Sequence, residues 1–127
     1  MENLEKFFIN GQWVEPISTE KMPVLNPANQ NEIGQVSLGN KKDLDRAVDA
    51  AKKAFESFSK TSKSERLEYL RRLKSITEAR FEDLAQAMRE EMGAPISMAR
   101  SAQADSAIGH LDGFIDSLEK LEEREKL

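Results

Sequence analysis

Apolar residues change their spacing once along this chain, near residue 39. Ahead of that point they come in short runs: Phe7-Phe8-Ile9, Trp13-Val14, Met22-Pro23-Val24-Leu25, and then Ile33, Val36 and Leu38. Asn10-Gly11 lies between the first two runs. It predicts a tight two-residue hairpin turn, which needs positive φ. The polar stretch Asn26-Pro27-Ala28-Asn29-Gln30-Asn31 separates the next two, with Pro27 presetting φ. Two short β-hairpins are therefore predicted over residues 1–39, closed by Gly39-Asn40.

Beyond Gly39 the period becomes helical. Leu44, Ala47, Val48, Ala51, Ala54, Phe55 and Phe58 recur at steps of three and four, with charged residues on the other face. Asn40 is the predicted N-cap, and Asp43 favours the positive helix start. A second helix opens on the capping box Ser62-Lys63-Ser64-Glu65 and carries Leu67, Leu70, Leu73 and Ile76. It pauses near Arg80. A third follows from Phe81-Glu82-Asp83 through Leu84, Ala85, Met88 and Met92, and Gly93 stops it as a left-handed C-cap. Pro95 fits the first position of a fourth helix, predicted to run to about Glu122. Its first half is rich in small residues (Ser97, Ala99, Ser101, Ala102, Ala104, Ser106, Ala107, Gly109). Its second half carries Leu111, Phe114, Ile115, Leu118 and Leu121.

Composition narrows the function classes. The 127 residues suffice for one modest core, and 39% hydrophobic with 33% charged is globular rather than disordered. The net charge of −4 and the lack of a basic stripe argue against a nucleic-acid partner. No apolar run approaches a membrane span, and the first residues lack the pattern of a secretory signal. A chain without cysteine fits the cytoplasm and contains no Cys nucleophile or Cys metal ligand.

Candidate chemistry is sparse. His110 is the only histidine, and no activating partner or nucleophile accompanies it. Asp112, Asp116 and Glu119 share a helix face, but Lys120 sits among them and the face reads as solvated. Glu90-Glu91 places acid in a final helical turn, against the dipole. That is a hint that something else holds one of them. No strand–Gly-x-Gly-x-x-Gly–helix arrangement occurs. No residue of the chain is thus assigned to catalysis or to cofactor binding.

Several segments in order nevertheless resemble one family. Phe8-Ile9-Asn10-Gly11-Gln12-Trp13-Val14, then Asn26-Pro27 and Ile33-Gly34-Gln35-Val36, are similar to the opening strands of NAD(P)-dependent aldehyde dehydrogenases. Asp43-Leu44-Asp45-Arg46-Ala47-Val48 with Ala50-Ala51 and Ala54-Phe55 resembles their first helix. Ser64-Glu65-Arg66 with Leu70, Leu73, Ile76 and Arg80 resembles the second, and Leu84-Ala85 through Glu91-Met92-Gly93-Ala94-Pro95 the third. Ala94 departs from the family's usual Lys before that Pro.

The resemblance implies an α/β parent fold, of which this segment supplies the two hairpins and about four α-helices. It implies a β arm over 1–39 and, over 40–127, the helical part of a cofactor-binding domain that stops before the Rossmann-type sheet. It implies oxidation of an aldehyde to a carboxylic acid with NAD or NADP, through a cysteine thioester, in a cytoplasmic homo-oligomer (dimer or tetramer). The oxyanion-hole Asn, general-base Glu and nucleophilic Cys are expected after Leu127, so the segment alone is expected to be inactive and marginally stable. In many members a structural monovalent cation sits against carbonyls ahead of the Asn-Pro and the acid before the Gly. Those positions map to Val24, Leu25 and Glu91. The rival reading is a free-standing helical interaction module, binding a partner protein through the small-residue face. The fragment reading predicts an exposed apolar patch from Ala99 to Ile115 and a lightly packed first hairpin. The module reading predicts a closed core.

Overall fold

A computed structural model describes residues 5–121. The predicted end of the fourth helix at Glu122 lies outside them. The chain divides into two compact units, Met1–Lys60 and Thr61–Leu127.

The first unit holds both hairpins and one helix. Strands β1 (Phe7–Ile9) and β2 (Gln12–Val14) pair antiparallel, with Phe7 opposite Val14, Phe8 opposite Trp13 and Ile9 opposite Gln12. Asn10 and Gly11 have φ of 53° and 74°. Both central residues are left-handed, as the hairpin turn requires. The Phe8 and Trp13 rings meet across the strands, with centroids 5.2 Å apart. Strands β3 (Lys21–Leu25) and β4 (Glu32–Ser37) form a second two-stranded ribbon. At its tip the Asn26 and Asn29 carboxamides accept from the N–H groups two residues on, at 2.9 and 3.0 Å, and this local bonding is what favours Asn in turns.

Helix α1 (Lys41–Phe58) starts on a complete capping box. The Asn40 side chain accepts from the Lys42 and Asp43 N–H groups, and Asp43 accepts from the Asn40 N–H. Ile9 is buried, beside the α1 face of Ala47, Ala50, Ala51 and Ala54. Gly39 sits close to the Phe7 ring: a Cβ there would stand 3.3 Å from it, so the ring would have to give by a few tenths of an ångström. Leu44 and Phe55 of the α1 stripe stay open, as does Phe8 on β1, each more than 60% exposed.

The second unit is helical. Helix α2 (Lys63–Ala79) carries the predicted capping box, the Ser62 N–H and hydroxyl both donating to Glu65 at 2.7 and 2.8 Å. Arg80 alone separates α2 from α3 (Phe81–Met92). Gly93 ends α3 at φ 69°, the left-handed cap that its sequence position predicts.

The fourth helical run differs from expectation. Pro95 precedes the run rather than opening it, and the run is not one α-helix. It comprises α4 (Ile96–Met98), a π-helical segment (Ala99–Ala104) and α5 (Asp105–Lys120). Leu121 then leaves in extended conformation. The reason for the π turns lies in packing. Positions five apart on an α-helix are turned about 140° from each other. The wider i→i+5 turn returns both Ala99 and Ala104 to one face, where each is fully buried in a cluster with Ala85 and Ala94. Phe81, Leu84, Met88 and Ile96 flank that cluster. The apolar patch expected from Ala99 to Ile115 is therefore covered at its beginning and open at Phe114, which is 64% exposed. Among the described residues no large side chain is fully buried. The buried cluster of this unit is made of alanines, and Leu67 of α2 is buried apart from it.

Charged groups tie α2 to α5. Arg71 pairs with Glu119 and Lys74 with Asp112, both at 2.5 Å. Lys63 Nζ donates to the Glu119 and Leu121 carbonyls at 2.8 and 2.9 Å, satisfying acceptors that a helix C-terminus leaves free.

Candidate functional site

The cation residues fall in different units, Val24 and Leu25 in the first and Glu91 in the second. The β3–β4 ladder runs regularly from Lys21 opposite Ser37 to Val24 opposite Gly34. It then slips between Val24 and Leu25, so that Leu25 faces Glu32. A slip of this kind leaves main-chain groups outside the ladder. Carbonyls freed in this way are hard oxygen donors of the type that hard cations take. Glu91 stands exposed in the last turn of α3, two residues before the left-handed Gly93. A carboxylate there opposes the helix dipole, whereas Arg89 in the same turn complements it. Among the described residues no group of three His, Asp or Glu side chains could hold a metal.

The other acidic candidates are occupied. On α5, Asp112 pairs with Lys74, Glu119 with Arg71, and Asp116 with Lys120 at 2.7 Å. The hydrogen bond from Lys74 to Asp112 raises the lysine's pKa and holds its charge. His110 is exposed. The three carboxylates form a solvated, ion-paired face.

Two polar clusters had little or no signature in the sequence. The Arg100 guanidinium grips Glu82 through two bonds of 3.0 and 2.7 Å, and Gln86 adds a third at 2.8 Å. Those bonds, Arg100 first, pull the Glu82 carboxyl down to about 2. The second cluster is centred on Asp43, the only charged or polar residue that is buried among those described. Besides capping α1, its carboxylate accepts from the Ile17 N–H at 2.7 Å and the Ser18 N–H at 3.1 Å. The Ile17 bond is the largest cause of a lowered pKa. The Asn40 and Ser18 N–H groups and nearby Arg46 act in the same direction, against desolvation. An Asn-x-x-Asp spacing hints at the cap. Nothing local announces a partner 26 residues away.

Comparison with known proteins covers nearly the whole chain. The profile of the aldehyde dehydrogenase family matches residues 13–127. A 3-succinoylsemialdehyde-pyridine dehydrogenase from a Pseudomonas species is 40% identical over 111 residues, which are 87% of this chain and 23% of the relative. The crystal structure of an aldehyde dehydrogenase from Bartonella henselae superposes with a TM-score of 0.95 at 37% identity, over 97% of this chain and 26% of that one. A variant of aldehyde dehydrogenase C from Pseudomonas syringae, in complex with NAD+ and octanal, also gives 0.95 at 37% identity, over 98% of this chain and 26% of that one. The chain thus spans about a quarter of the length of the relatives it matches.

Proposed function

The chain belongs to the aldehyde dehydrogenase family, and from that premise we propose that it forms the N-terminal arm and first helices of an enzyme oxidising an aldehyde to a carboxylic acid with NAD(P)+. The observation that carries the proposal is the fit of both units, hairpins and helices alike, to a known dehydrogenase at a TM-score of 0.95.

The chemistry expected of the whole enzyme is thiolate attack on the aldehyde, hydride transfer to the nicotinamide, and hydrolysis of the thioester by Glu-activated water. No residue here is given a part in those steps. The chain has no cysteine to supply the thiolate. Among the described residues no glycine-rich strand–turn–helix offers a phosphate cradle, so the residues present do not fit the dinucleotide. What the chain would contribute is position. On the resemblance, Val24, Leu25 and Glu91 are the positions proposed for a monovalent cation, and a cation at Glu91 would offset an acid placed against a helix dipole. A cytoplasmic homo-oligomer is part of the same reading.

The interaction-module alternative called for a closed core, and the exposure of Leu44 and Phe55 in the first unit and of Phe114 in the second does not favour it. The test is direct. The purified chain, given NAD+ or NADP+ and a panel of aliphatic and aromatic aldehydes, should reduce no nicotinamide above blank. The coding sequence beyond Leu127 should supply a Pro-Trp-Asn and then a Glu and a Cys. Turnover by the chain itself would refute its non-catalytic role, and a continuation without the Cys would refute the parent reaction.

A further inference from the structure

We propose that Asp43 is a conformational latch: by gripping the main chain of Ile17 and Ser18, it sets the direction in which the β3–β4 ribbon leaves α1. Apolar packing holds that ribbon only in part. Val24 and Val36 are half-buried, but Met22, Leu25 and Ile33 are all substantially exposed. Among the described residues, the side-chain hydrogen bonds of the ribbon's outer part (Asn26 to Ala28, Gln30 to Pro27, Asn29 to Asn31, Gln35 to Glu32) all end within the ribbon. Only its base is tied down.

The ties at the base are unequal. Lys21 pairs with Glu5, and the Ser37 hydroxyl donates to the Glu5 carbonyl at 2.7 Å. Both are exposed, and exposed pairs of this kind contribute little in water. Asp43 is only 4% exposed. One carboxylate oxygen takes the Ile17 N–H, and the other takes those of Ser18 and Asn40. A single buried group therefore joins the chain entering the ribbon (Ile17, Ser18) to the chain leaving it (Asn40) and to the first turn of α1. Arg46, one turn along α1, reaches back to the Glu15 carbonyl at 3.3 Å and restrains the same connection. Hydrogen bonds to an ionised acceptor are among the stronger ones, and shielding preserves them. The arrangement is that of a two-stranded arm on a polar mount.

The test compares Asp43→Ala, Asp43→Asn and Asn40→Ala in the full chain by NMR. In both Asp43 variants the Ile17 and Ser18 amides should exchange roughly tenfold faster or more, the scale of losing a hydrogen bond to a charged group. Residual dipolar couplings should show the ribbon reorienting relative to α1, while cross-strand NOEs such as Val24 to Gly34 persist. Asn40→Ala removes a side-chain cap from α1 without touching the Ile17 and Ser18 bonds, so it should leave both amides protected. Unchanged protection or an unchanged ribbon direction in Asp43→Ala would overturn the proposal. So would the same release in Asn40→Ala, which would assign it to fraying of α1. Global unfolding of Asp43→Asn, which keeps the side chain's shape and one acceptor oxygen, would overturn it too, because a latch on one ribbon does not hold a whole chain together.

Discussion

Replacing Ala85 by Leu tests whether the alanine cluster of the second unit is as close-packed as its burial indicates. Ala85, Ala99 and Ala104 are each fully buried, and Ala94 is 9% exposed. Leucine adds three carbons. If space existed for them, burying each would stabilise by about 0.8 kcal/mol, or about 2.4 kcal/mol in all. In a site that is already filled, extra methylenes force neighbours off their rotamers at a cost of about 1–3 kcal/mol. The sign of the change therefore reports the packing. The α3 backbone meets the π-helical backbone with methyl groups between them, so the second outcome is expected. For an m-value of about 1 kcal/mol/M the urea midpoint should fall by about 1–3 M, read by circular dichroism. Ala102→Leu, on the exposed side of the π segment, is the matched substitution and should stay within about 0.5 kcal/mol of the parent. A midpoint for Ala85→Leu equal to or above the parent's would refute the close-packed interface, and with it the packing reason given for the π turns.

Gly93→Ala should cost about 1 kcal/mol, since a Cβ is placed at φ 69°; urea unfolding checks it, and Gly93→Asn should recover part of the loss. Glu82 should titrate at about 2 by side-chain NMR, and Arg100→Lys should bring it back toward the ordinary range because a lysine cannot reproduce the two-bond grip. The folded state lowers that pKa, so the stability Glu82 contributes is present above the ordinary carboxylate range and lost as pH falls through about 2. Asp43 follows the same sign, its contribution disappearing as pH drops through its depressed value; in Asp43→Asn the acid limb of the urea-midpoint-against-pH curve should flatten. Lys63→Met should speed amide exchange in the last turn of α5 by releasing the Glu119 and Leu121 carbonyls, with little effect on the first turn of that helix.

What could be read in the sequence was what local chemistry decides. Asn10-Gly11 has one economical conformation, Ser62 and Glu65 satisfy each other's backbone, and Gly93 is the residue a left-handed cap prefers. The break at Arg80 showed as a new acidic first turn at Glu82 and Asp83. The π segment was not legible. Its small residues permit close approach in an α-helix and a π-helix alike, and the choice depends on α3, which they pack against. The same holds for Asp43, whose acid pattern signals a helix start while its two other bonds go to a connection 25 and 26 residues earlier. The cation assignment to Val24, Leu25 and Glu91 rested on resemblance. The slip in the β3–β4 ladder adds a physical reason at the first two, and the third keeps only its unfavourable dipole.

The one-residue junction at Arg80 has a consequence for how this segment can vary. With no loop between α2 and α3, the two helices share a rotational phase. Each residue of an α-helix advances the face by about 100°. A single insertion or deletion at Arg80 would therefore turn Ala85 about 100° away from Ala99 and Ala104, in opposite senses: an insertion would bring the Leu84 side of α3 toward the alanine cluster, and a deletion the Gln86 and Glu82 side. The junction can accept many different side chains. It cannot absorb a change in length, so length differences among such chains should collect at the ribbon tip around Asn26–Asn31, where nothing downstream depends on the count.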